Sequence, residues 1–194
     1  MYVRDYVRPA RGQRILDIGC GPADVLEHFP DVEYFGIDLS PKYIEAAQSR
    51  FGNRGKFLCM DAADFVVNEP GSFDIVMANG LLHHLTDDEA RSVFSIAKTA
   101  LKKSGYMVSF DGCFLTEQSL VVQTLLRMDR GKFVRKRESY IELAKEFFDS
   151  AEGFVRDDFY SNLPYSTLFM VCGATARKNA PSSDLQSRLP TTAR

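Results

Sequence analysis

Residues 14–24 read RILDIGCGPAD. Arg14 to Gly19 has the length and apolar content of a strand, with one acid, Asp17, set inside it. The glycines and Pro22 break that strand, and a short helix is expected from about Ala23 to Phe29. A second strand, Tyr34 to Asp38 (YFGID), ends in another acid. Strand, glycine-rich turn, helix, strand and acid form a nucleotide-binding plan: glycines let the backbone come close to a ligand, and a carboxylate ending the second strand can accept ribose hydroxyls. The plan alone does not separate one such ligand from another. The third glycine of the dinucleotide fingerprint is missing from Gly19-Cys20-Gly21-Pro22-Ala23-Asp24, and a dinucleotide leaves Asp17 without a task.

Outward from this unit the alternation continues. Ser40 caps a helix that has Pro41 at its first position and runs to about Arg50. Lys56 to Met60 is a third strand, and Phe73 to Ala78 a fourth, apolar on both faces as a central parallel strand should be. Thr86 and Glu89 make a capping box, after which Ala90, Val93, Phe94, Ala97 and Leu101 repeat at helical spacing up to Lys102, with Gly105 ending the element. Tyr106 to Phe110 is the fifth strand, followed by helical stretches at roughly Glu117 to Met128 and Glu138 to Phe148. Gly153 to Tyr160 and Tyr165 to Ala174 read as strands joined by Ser161 to Pro164, too short a link for a crossover and therefore an antiparallel pair. The order predicts a doubly wound α/β fold with a seven-stranded, mostly parallel sheet and an antiparallel C-terminal strand. Residues 1–176 should form one domain, with 113–137 as a cap insert and 177–194, rich in Ser, Thr, Pro and charge, as a disordered tail.

A chain of 194 residues, 45% hydrophobic, suits a single core. Its 24 basic and 26 acidic residues give a net charge of -2. Four of the basic residues and one acid fall in the tail, so the body is more acidic still, which argues against nucleic acid as a partner. MYVRDYVRPARG holds no signal-peptide core, and no apolar run reaches the roughly 18 residues of a membrane span, so a cytoplasmic protein is expected, with no membrane partner. Cys20, Cys59, Cys113 and Cys172 are scattered without a CxxC, which favours neither a metal site nor a disulfide framework.

The segments LDIGCG, GIDLS, MDAADF, FDIVMANGLLHHL and LKKSGYMV stand in one order. Over roughly Arg14 to Asp111 the chain resembles the class I S-adenosylmethionine-dependent methyltransferases of small-molecule type. The likeness weakens in the last strand pair. It implies a Rossmann-like methyltransferase fold, S-adenosyl-L-methionine as cofactor with S-adenosyl-L-homocysteine as product, and methylation of a small metabolite at oxygen. The family's acid-x-Gly-x-Gly-x-Gly motif lies on Asp17 to Ala23, with Ala23 in place of the last glycine. In that resemblance Asp17 would hold the cationic amino group of the methionine moiety, directly or through water, and Gly19, Cys20 and Gly21 would form the turn against the cofactor. Asp38 would accept both ribose hydroxyls, and Leu39 would pack on the adenine. Asp61 would accept from the adenine amino group while the Ala62 N–H pairs with a ring nitrogen; Asn79 belongs to the same set. Each acid has a plainer reading as a turn former or helix cap, Asp61 before Ala62-Ala63 above all. An NAD-dependent oxidoreductase and a non-catalytic cofactor-binding regulatory subunit are the rival functions.

His83 and His84 follow the fourth strand, where the family's acceptor site opens, and Asp111 ends the fifth strand beside it. A histidine is suited to general base work near neutral pH, and a carboxylate can orient it. Consecutive loop side chains diverge, so one ring should face the methyl: His83 is the choice, with Asp111 as its partner, and either ring could instead bond only the loop backbone. His28 reads as a surface residue. Arg127, Arg130, Lys132, Arg135, Lys136 and Arg137 crowd the cap segment, either for an anionic or carrier-bound acceptor or as a solvated basic face. Tyr2, Val3, Tyr6 and Val7 repeat at helical spacing before Pro9 as if ending a longer helix. The expectations are a natural start upstream of Met1 and a pocket open on the acceptor side. Tyr2 and Tyr6 would then lie at its rim or on a neighbouring molecule, in a monomer or homodimer.

Overall fold

A computed structural model of the chain describes residues 2–115, 118, 119, 122–124, 131–157, 159 and 165–173. Eight strands form one sheet: β1 (Arg14–Ile18), β2 (Glu33–Asp38), β3 (Gly55–Cys59), β4 (Phe73–Asn79), β5 (Leu101–Phe114), β6 (Arg135–Lys136), β7 (Ala151–Arg156) and β8 (Thr167–Cys172). The main path runs β3-β2-β1-β4-β5-β8-β7, with the two-residue β6 alongside the end of β5. The first five strands are parallel, and β8 runs antiparallel to both β5 and β7. The expected doubly wound sheet of seven strands is therefore present, with β6 added.

Parallel strands need both faces covered, and the sequence supplies apolar residues on both: Phe73 and Ile75 to Ala78 of β4 are buried, as is every residue of β8. On one face lie α1 (Pro41–Phe51), capped by Ser40, the 3₁₀ turn Asp24–His28, and a π-helical turn at Val3–Val7. On the other lie α2 (Ala62–Val66), α3 (Asp87–Ala100) and α4 (Arg137–Lys145). The expected capping box opens α3: the Thr86 and Glu89 side chains each accept the other's backbone N–H. No helix among the described residues is long and apolar enough to cross a membrane.

Two expectations are corrected here. Gly105 does not end α3; the helix stops at Ala100, and Gly105 sits inside β5. There the pairing with β4 slips between Phe73 and Ile75, and a Cβ would come within 3.0 Å of the Phe73 and Asp74 carbonyls. Tyr6 is not left at a rim or for a neighbouring molecule, being 1% exposed, whereas Tyr2, 7% exposed, borders a cavity and bonds Asn79. Tyr6 stacks on Phe169 of β8 at 4.4 Å and Tyr2 meets Phe110 of β5 edge-on at 5.0 Å. The 177–194 tail, the Ser161 to Pro164 link and most of the helix expected at Glu117 to Met128 lie outside the described residues.

Candidate active site

The carboxyl ends of β1, β2 and β4 meet where the strand order reverses, the place where doubly wound sheets open a crevice. A cavity of about 420 Å3 lies there. Its floor is the turn after β1. Gly19 and Gly21 adopt left-handed backbone, φ 69° and 54°, which a side chain would strain. A Cβ on Gly21 would meet no atom within 4 Å, so the bare backbone borders open space. Asp38, ending β2, stitches this turn in place: one carboxylate oxygen accepts the Gly21 N–H at 2.9 Å and the other the Ser40 N–H at 2.8 Å. The Cys20 thiol also borders the cavity, with burial pushing its pKa up.

Asp17 lies in the same wall and is 2% exposed. Its Oδ2 accepts the Tyr34 hydroxyl at 2.6 Å, whereas Oδ1 is buried without a partner. Burial pushes the carboxyl up to about 7; the Tyr34 hydrogen bond lowers it, and the Asp38 charge raises it. Tyr34 was not among the sequence candidates. Its signal is Gly36 two residues on, directly across from Asp17: a Cβ there would lie 3.1 Å from the Tyr34 ring, so the absent side chain lets the ring lean along β2 toward the acid.

Asn79 ends β4 at the cavity, its Oδ1 accepting the Tyr2 hydroxyl. The two histidines differ in exposure, but their rings do not diverge as expected: the centroids lie 4.1 Å apart. His84 lines the cavity, while His83 is buried, 8% exposed, and does not. Asp111 Oδ1 accepts the His83 backbone N–H at 3.1 Å and lies 2.9 Å from His83 Nδ1. Burial holds the Asp111 carboxyl above its usual range, against the lowering effect of the His83 hydrogen bonds. The other side of the His83 ring is closed by Gly131, where a Cβ would come within 2.1 Å of the imidazole.

Three of the cofactor-binding candidates lie apart from this cavity, as do His83 and Asp111. Leu39 is 72% exposed and Ala62, the first residue of α2, is packed in the core. Asp61 caps α2, accepting the Ala63 N–H at 2.7 Å. Of the basic cluster, Arg127 and Arg130 lie outside the described residues. Arg135 is turned inward, donating to the carbonyls of Leu82 and Leu85 at 2.9 and 2.7 Å and pairing with Asp87. Arg137 donates to the Gly153 carbonyl.

Residues 15–105 match the family described as "Methyltransferase domain". Over that stretch, just under half of the chain, the sequence is similar to methyltransferases. The matched stretch of this methyltransferase domain spans β1 to the middle of β5 and so contains the whole of the cavity's glycine turn. It is 31% identical over 104 residues to a ubiquinone biosynthesis O-methyltransferase of Thiobacillus denitrificans, covering 51% of this chain and 44% of that one. A malonyl-[acyl-carrier protein] O-methyltransferase of Acetivibrio thermocellus is 27% identical over 159 residues, 74% of this chain and 54% of that one. The chain thus spans about half the length of these curated relatives. In fold, the methyltransferase domain is similar to a SAM-dependent methyltransferase from Archaeoglobus fulgidus, with TM-score 0.69 at 18% identity, over 88% of this chain and 90% of that one.

Proposed function

We propose that this chain transfers a methyl group from S-adenosylmethionine to an oxygen of a small acceptor, free or carrier-bound. The observation that carries the reading is the unpartnered Asp17 Oδ1, buried in the cavity wall beside a bare glycine turn. A buried carboxylate oxygen lacking a donor is costly, and a cationic ammonium is the group that relieves it. Asp17, Gly19, Cys20 and Gly21 would hold the methionyl end, with Asn79 beside them. Asp38 would take the ribose hydroxyls on the lone pairs its two backbone donors leave open. Leu39, with Asp61 and the Ala62 N–H, would receive the adenine outside the 420 Å3 cavity, which explains a large apolar side chain held 72% in water.

When bound, the cofactor supplies a methyl on a sulfonium, an electrophile that needs no further activation. Transfer to an acceptor oxygen would release that oxygen's proton, which a base of this chain would have to take. The ring placed to take it is His84. His83 and Asp111 hold the turn that carries it, which revises the choice of His83 as base. Calorimetry with S-adenosylhomocysteine and NAD tests the reading: tight binding of the first alone is expected, and preference for NAD would overturn it. Asp38→Ala should weaken S-adenosylhomocysteine by about 10- to 100-fold, the loss of charged hydrogen bonds.

A further inference from the structure

Asp17 stands on β1, and the hydrogen bond that fixes it comes from the neighbouring strand. The Tyr34 hydroxyl of β2 donates to Asp17 Oδ2 at 2.6 Å, and the two residues are 1% and 2% exposed. Two glycines give the tyrosine ring room to reach that oxygen. Gly36, two residues on in β2, and Gly55, directly across in β3, would each set a Cβ against the ring, at 3.1 and 3.0 Å, closer than most such contacts. Phe29 and Phe57 flank the ring at centroid distances of 6.2 and 5.8 Å. A phenol has a single O–H to give, and burial, then the Asp17 charge, holds the Tyr34 hydroxyl well above its ordinary pKa, so the proton stays on the phenol. Asp17 Oδ2 is therefore always the oxygen that is taken.

We propose that Tyr34 is the positioning residue for the cofactor's ammonium: by taking Oδ2 it fixes the Asp17 carboxylate and leaves Oδ1 as the oxygen that receives the cation. The inference rests on the function proposed above and names what selects the amino-acid end of its cofactor. Asp17 lines the cavity, and its Oδ1 is buried with no partner. A tyrosine–aspartate pair that served packing alone would gain nothing from a second oxygen left unsatisfied, whereas a pair built for a cation needs it. The titratable groups around the carboxyl are Tyr34 and Asp38 of β2, Cys20 of the turn after β1 and Tyr2 of the N-terminal turn, with Met77 across on β4. His84 lines the same cavity. Burial and the Asp38 charge push Asp17 toward the neutral acid, and the Tyr34 hydrogen bond works toward the carboxylate. Without that hydroxyl the acid should ionise at higher pH, and a neutral acid does not attract an ammonium.

The test compares two ligands of the full chain by calorimetry: S-adenosylhomocysteine, and 5′-methylthioadenosine, which keeps the adenosine and the thioether and lacks the amino-acid end. The ratio of their affinities isolates that end. In the parent the ratio should rise with pH and level off above about 7, where Asp17 is charged. Tyr34→Phe should lower the ratio about tenfold at about pH 6 and move its rise to higher pH, since each unit of midpoint is a tenfold change in affinity below it. The variant's affinity for 5′-methylthioadenosine should stay within about twofold of the parent's, which also shows that the site has folded. Gly55→Ala crowds the ring and leaves its hydroxyl, and should move the rise in the same direction by less. A ratio independent of pH in the parent, an unmoved rise in both variants, or a parallel loss of both ligands overturns the inference while the methyltransferase reading stands. Failure of S-adenosylhomocysteine itself to bind the parent overturns that reading, and the role of Tyr34 with it.

Discussion

Asp17 carries a proton-linked cost that can be measured without any acceptor. With its folded pKa raised to about 7, well above the roughly 3.9 of an unfolded aspartate, the folded chain holds a proton that the unfolded chain has released. Stability from this site is present in full below about pH 4 and is lost as the pH climbs through about 7. Asp17→Asn should remove that slope, so melting curves of variant and parent should converge at low pH and separate toward pH 7, the variant melting higher. Parallel curves would show that the carboxyl titrates normally. The two histidines separate in the same spirit. His84→Ala should lower turnover by about 100-fold with little change in melting, the signature of a lost base. His83→Ala should mainly destabilise, since it empties a buried site and leaves Asp111 Oδ1 without its ring partner. Much of this site was legible: Asp17, Gly19, Cys20, Gly21, Asp38 and Asn79 converge on one cavity as the motif order implied. Which histidine faces it was not, because two adjacent residues carry the same letter and the choice is made by Gly131, packed on His83 from 48 residues away.

The segment from Gly131 to Lys136 behaves as a strap across the histidine turn. Phe133 N–H donates to the His83 carbonyl at 2.9 Å, β6 pairs with β5, and Arg135, its side chain 9% exposed, reaches the carbonyls on either side of the two histidines. Arg135→Met keeps the stem and removes the donors. The Leu82 carbonyl keeps the Leu85 N–H at 3.2 Å, but the Leu85 carbonyl loses its arginine donor, which should cost about 1 to 3 kcal/mol, and amides 81–86 should exchange faster with solvent while those of β1 do not. Uniform acceleration would point to general destabilisation instead. A basic run offers no sign of this role, since an arginine that binds backbone looks in sequence like one that binds water. The elements themselves were easier. The α3 capping box and the Ser40-Pro41 start of α1 are local chemistry and appear where the letters place them. Gly105 misled because helix termination and strand irregularity both call for glycine, and only the register slip against β4 decides between them.

Across the whole molecule, one face of the sheet is closed by aromatic residues distant in sequence. Tyr6, Tyr2, Phe110, Phe154 and Phe169 form one cluster drawn from the N-terminal turn and three strands. The Tyr106 hydroxyl pins this turn by donating to the Val7 carbonyl. Tyr6→Ala should cost about 3 to 5 kcal/mol and lower the melting temperature by roughly 10 °C. Thermal melts of variant and parent check this, and an unchanged melting temperature would show that the stack adds nothing. The arrangement also sets an order of events on the ribosome. Tyr6 leaves the peptidyl transferase centre 163 residues ahead of Phe169, the ring it stacks on, and at roughly 5 to 20 residues per second it waits about ten to thirty seconds for that partner. β8, moreover, inserts between β5 and β7, so the sheet is completed from within after its edge strand has emerged. Through that interval Tyr6 lacks the ring it stacks on, so the aromatic cluster cannot close until β8 has been made.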